Sequence, residues 1–184
     1  FERQLEIDPF HDSAHKFLGW ALERDDRPEE AEAAYRRQLE LFPLDSYTAE
    51  ALGELLEEED RCEEAIPVLR KAIALDDDDW SRLRLARCQL DVGEMDEGLA
   101  GLEALGESST DGRLVGRAAM AAYSHKRYGA ALPLFERFRE LDPDGGEHEL
   151  QEAVSRFRSG QREDGISALR ELVAERPEDD LAWD

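Results

Sequence analysis

Apolar residues return every three or four positions along this chain, break off at short polar turns, and resume. Between Asp12 and Pro43, Phe17, Leu18 and Leu22 share one helical face. Asp25-Asp26-Arg27-Pro28 interrupts it, and Ala31, Ala34, Tyr35 and Leu39 build a second face. This spacing predicts two amphipathic helices joined by a turn. Pro28 suits a first helical turn, where its missing N–H costs nothing, and Pro43 suits the stop. The next stretch repeats the plan: Ala49, Leu52, Gly53 and Leu56, then Glu59-Asp60-Arg61, then Ala65, Leu69, Ala72 and Ile73. No segment keeps a period of two, so no strand is predicted.

The plan recurs along the whole chain of 184 residues. Phe1, Tyr35, Leu69, Leu102, Phe135 and Leu169 follow one another at steps of 34, 34, 33, 33 and 34 residues. Small residues run beside them at Ala31, Ala65, Gly98, Ala131 and Gly165, and breaks fall at Pro9, Pro43, Asp77, Thr110, Pro143 and Pro177. Three registers with one period predict stacked helical pairs, none of which can bury its apolar face alone. The pairs span about 12–45, 46–79, 80–110, 111–145 and 146–178, with half-units at 1–9 and 179–184. In the third and fifth pairs, Arg87 and Val154 stand where the others place a small residue. There the helical faces fit best with one residue fewer in the turn inside the pair. Gly93, Gly98, Gly101 and the stretch Gly106–Gly112 mark the middle as the expected hinge.

Leu18-Gly19…Ala31…Tyr35…Pro43, Leu52-Gly53…Ala65…Leu69 and Tyr128–Pro143 resemble the tetratricopeptide repeat. The resemblance covers essentially the whole chain. It implies an all-α, right-handed superhelical solenoid of about five repeats with a half-repeat at each end. It also implies a concave groove, lined by the first helix of each pair, that binds a peptide or a partner helix. The exposed half-repeats would complement each other between chains, giving head-to-tail self-association. They also point to a piece of a longer array. A regulatory or sensory module of a larger multidomain protein is the alternative reading.

Charge narrows the partner. There are 46 Asp and Glu against 23 Lys and Arg, a net charge of −23. That balance speaks against nucleic acid and against anionic membrane surfaces. Lys16, Lys71 and Lys126 are the only lysines among the 23 cationic residues. Such self-repulsion predicts stability that rises with ionic strength. No apolar run reaches the length of a membrane span. Two cysteines, Cys62 and Cys88, form neither a disulfide scaffold nor a zinc motif. Read as free thiols, they suggest cytoplasm, with periplasm as the alternative.

The helical register places Lys16, Trp20, Tyr47, Arg84, Cys88, Arg113, Arg117, Tyr123 and Arg158 on the implied groove. Arg84, Arg113 and Arg117 reverse the local sign, and arginine forks pair with carboxylates. An acidic or C-terminal ligand is therefore expected at that end. The Lys, Asn and Arg set with which some family members hold chaperone tails is missing: Ser13, Phe17, Tyr47, Ala51, Ser81 and Leu85 occupy those sites. No catalytic residue, metal site or cofactor is expected. His11 and His15 lie four apart near a helix start, and Asp76–Asp79 reads as acids at a helix N-terminus.

Overall fold

The computed structural model describes residues 13–143 and 145–175. The expected half-repeats, their head-to-tail contact and His11 lie outside these residues. Among the described residues there are ten α-helices and no strand. They are α1 (Ala14–Arg24), α2 (Pro28–Leu41), α3 (Ser46–Glu58), α4 (Cys62–Leu75), α5 (Asp79–Asp91), α6 (Met95–Ser108), α7 (Gly112–Ser124), α8 (Tyr128–Leu141), α9 (Glu149–Arg158) and α10 (Arg162–Glu175). A 3-10 turn, Gly146–His148, precedes α9. The chain divides between Gly98 and Leu99, inside α6, into two compact units.

Each pair closes through the same turn. Asp26, Asp60, Gly93, Lys126 and Gly160 are the middle residues of the five turns, and all have positive φ. The following N–H reaches back five residues in each case: Arg27 to the Leu22 carbonyl, Arg61 to Leu56, Glu94 to Gln89, Arg127 to Ala122 and Gln161 to Arg156. This is the Schellman closure, which satisfies helix-end carbonyls and needs one left-handed residue. Its geometry fixes the turn at three residues in the third and fifth pairs as well, Val92–Glu94 and Ser159–Gln161. The expected shortening inside those pairs is thus corrected. The 33-residue steps arise between pairs, where 76–78 and 109–111 replace the longer 42–45.

Three of the five first helices are started by aspartates. The carboxylates of Asp45, Asp78 and Asp111 accept backbone N–H groups at the heads of α3, α5 and α7, satisfying donors that a helix leaves open. Asp78 takes the N–H of Trp80 and of Ser81. Asp77 and Asp79 are engaged by Arg82.

Close approach within a pair depends on one glycine, and its helix varies. In the first two pairs it sits on the first helix. A Cβ at Gly19 would lie 2.5 Å from the Tyr35 ring, and one at Gly53 would lie 2.5 Å from Leu69. In the third and fifth pairs it sits on the second helix. A Cβ at Gly98 would meet the Ala86 carbonyl at 2.9 Å, and one at Gly165 would meet the Phe157 backbone at 2.6 Å. Counted back from the left-handed turn residues, Ala86 and Ala153, rather than the expected Arg87 and Val154, take the places of Gly19 and Gly53, so glycine and alanine have exchanged helices. The large residues of the repeat register then fill the interior: Tyr35, Leu69, Leu102 and Phe135 are all buried.

The reading of Cys62 and Cys88 as free thiols is corrected. They form a disulfide between the start of α4 and the body of α5, with Cα atoms 4.8 Å apart. Cys88 is fully buried and does not face a groove. Stacking of neighbouring pairs brings together residues 26 positions apart, a proximity that spacing alone does not reveal. The cytoplasmic expectation rested on free thiols, and the bond takes that footing away.

Candidate functional site

In the first unit, α1, α3 and α5 carry the residues expected on the groove. Lys16 and Trp20 stand on α1, Tyr47 at the head of α3 and Arg84 on α5. Phe17, Trp20 and Tyr47 expose 44%, 41% and 51% of their surface, whereas Tyr35 of the same unit is fully enclosed. Lys16 organises the junction of α1 and α3. Its Nζ lies 3.2 Å from Asp45 Oδ2 and 5.5 Å from the Tyr47 ring centroid. The Arg24 guanidinium lies 4.7 Å from the Trp20 centroid. Both rings are thus oriented by a cation held against the π face.

Asp45 is the hidden organiser. It accepts the Thr48 N–H at 3.1 Å, Gln38 Nε2 at 3.1 Å and Lys16 Nζ. Burial alone would push its carboxyl up, but these donors together hold it below the usual aspartate range. The sequence signal for it is slight: an Asp one residue before an apolar helix.

Arg84 does not stand as a free cation. Its guanidinium is engaged by Glu54 and lies 3.4 Å from Glu57, which also pairs with Arg87 at 3.0 Å. Carboxylates therefore dominate this face. Burial raises the Glu50 carboxyl, and the charge of Asp78 raises it further against the pull of Arg84. Burial also raises Glu23, partly offset by the hydrogen bond donated by the Tyr35 hydroxyl, while Glu54 and Glu58 add repulsion.

A pH-dependent consequence follows from Glu50. A carboxyl whose pKa is raised by folding favours the folded state most below the unfolded glutamate value, and that contribution is lost as pH rises through the folded one. Glu50→Gln is expected to raise the melting temperature at pH 7. The gain should vanish below about pH 4.3, where glutamate is itself protonated. Paired melting curves from pH 3 to pH 8 check this.

In the second unit, α7 carries Arg113, Arg117 and Tyr123, and Arg158 ends α9. The Arg113 side chain is 84% exposed, with Nε 3.6 Å from Asp111 Oδ1. Arg117 and Arg158 are exposed too. Tyr123 packs edge-on to Tyr128 and Phe135, with centroids at 5.5 and 6.2 Å. Burial raises its hydroxyl pKa, and so does Tyr128, while the charge of Arg158 opposes the rise. His148 packs against Phe135 and Phe138 at 5.7 and 5.0 Å, an aromatic contact rather than a ligand arrangement. Among the described residues no cluster of three His, Cys, Asp or Glu side chains is placed to hold a metal. No described helix is long and apolar enough to cross a membrane.

Comparison with known proteins adds the frame. The family model for the tetratricopeptide repeat matches residues 1–46 and 18–80. The fold is similar to that of YrrB, described as a tetratricopeptide-repeat protein with an unusual peptide-binding site. The TM-score is 0.78 at 18% identity, over 98% of this chain and 94% of that one. It is similar to MamA at a TM-score of 0.76 and 15% identity, over 90% and 92% of the two chains. It is also similar to PilF of Pseudomonas aeruginosa at a TM-score of 0.71 and 21% identity, over 97% and 82%. No curated protein sequence matches the chain.

Proposed function

From the chain's membership of the tetratricopeptide-repeat family, we propose that it is a non-catalytic scaffold that binds a peptide or partner helix on the face of its first helices. The supporting observation is the exposure of Phe17, Trp20 and Tyr47 on two successive first helices. Rigid aromatic side chains with one face open to water are the usual anchors of protein interfaces. Lys16 and Arg24 already orient the rings, so little conformational entropy remains to be lost on binding. The peptide-binding neighbour YrrB supports the same reading.

Selection of displayed random peptides on the intact chain tests it. A consensus peptide is expected, with apolar or aromatic residues at fixed spacing. Trp20→Ala/Tyr47→Ala is expected to weaken it by about 30-fold or more, with the melting curve unchanged. Failure to select any consensus, or equal binding by the double variant, overturns the assignment.

The second unit supports a separate, acidic ligand. Arg113 and Arg117, one turn apart on α7, are both exposed, and Arg158 at the end of α9 lies near Tyr123. This set suits a carboxylate-rich segment or a C-terminal carboxylate. Arg113→Glu/Arg117→Glu is the variant that removes it.

A further inference from the structure

The second helices of the second unit enclose a cleft away from the residues discussed above. It has a volume of about 520 Å³ and lies between the Leu99–Ser108 part of α6 and the first two turns of α8. That size suits one or two buried side chains of a ligand. Leu99, Ala130, Pro133 and Leu134 form its apolar walls. The two helices come close at one end, where a Cβ at Gly106 would lie 2.4 Å from Leu134. They open at the other, where a Cβ at Gly129 would meet nothing within 4 Å.

Two features give the cleft a chemical preference. Glu103 and Glu107, one turn apart on α6, sit on the rim. The one rim cation, Arg137, is paired with Glu140 at 2.9 Å, which leaves the rim negative. Pro133 lies inside α8 and has no N–H to offer the carbonyl of Gly129, four residues earlier on the same cleft wall. The apolar floor is thus bordered by acceptors: two carboxylates and a carbonyl that its own helix does not cap.

We propose that this cleft is a second docking site, distinct from the first-helix face, for a basic amphipathic helix of a partner protein. A leucine-sized side chain enters between α6 and α8. Lysine or arginine residues one turn to either side meet Glu103 and Glu107. Charge complementarity favours this occupant over an acidic segment or a second copy of this chain, which carries a net −23.

The probe is a short fluorescein-labelled helical peptide of leucine, lysine and alanine, with leucines on one face flanked by lysines. Gly129→Phe closes the cleft without altering charge, and the replaced glycine leaves α8 better formed, so a folding defect is not expected. Anisotropy titrations of the full chain should show about a tenfold or greater loss of affinity in Gly129→Phe. A similar loss is expected in Glu103→Lys/Glu107→Lys, and none in Trp20→Ala/Tyr47→Ala. No binding by the original chain overturns the proposal. Equal binding by Gly129→Phe overturns it too, because that marks diffuse attraction to an acidic surface. So does preference for a glutamate-bearing version of the peptide, or a dimer in sedimentation that Gly129→Phe abolishes. Failure of the aromatic anchors as a peptide site leaves these expectations unchanged.

Discussion

Tyr35→Ala is expected to destabilise the first unit by about 3–5 kcal/mol. The side chain is fully buried, and it fills the space that Gly19 leaves by having no Cβ. Its removal opens a cavity between α1 and α2 that neither backbone can close without losing the Schellman turn at Asp25–Arg27. The hydroxyl adds a second loss, because it donates to the Glu23 carboxylate and holds down a pKa that burial raises. Tyr35→Phe separates the two terms and is expected to cost about 1.5 kcal/mol, as for a hydrogen bond to a charged acceptor. Urea melts followed by circular dichroism measure both variants. Equal costs for the two would show that the hydroxyl, rather than the ring, holds the pair together.

Reduction of the Cys62–Cys88 disulfide is expected to cost the same unit about 3.5 kcal/mol. The bond closes a loop of 26 residues, and the entropy removed from an unfolded loop of that length sets the magnitude. It joins α4 to α5, so it staples one pair to the next. The effect should appear as cooperativity lost between the second and third pairs as well as a lower midpoint. Melts with and without a phosphine reductant, beside Cys62→Ala, test it. Mass measurement after alkylation counts the thiols available before reduction. Two modified cysteines without reductant, together with an unchanged melt, would show that the bond does not form.

Much of the fold is legible because its rules are local. Helix faces at Phe17, Leu18 and Leu22, stops at Pro43, aspartate caps and a period near 34 residues all depend on neighbours within a few turns. The turns inside the pairs were less legible, since a left-handed residue at 26, 60 and 126 is Asp or Lys rather than Gly. The residues of the candidate site divide in the same way. Trp20, Tyr47 and Arg113 are placed on their faces by helical register alone. Whether a residue on such a face is available depends on what lies across from it: Arg84 shares the register and is taken up by Glu54 and Glu57.

The sequence by itself determined the all-α pairs, their period and the acidic surface, because propensity, capping and periodicity act within single helices and turns. Only the tertiary structure decided the Cys62–Cys88 bond, the exchange of glycine between helices at Gly98 and Gly165, the role of Asp45 and the cleft between α6 and α8. Each of these depends on the distance between residues on different helices. That distance is set by side-chain volumes across an interface, which a linear pattern does not record.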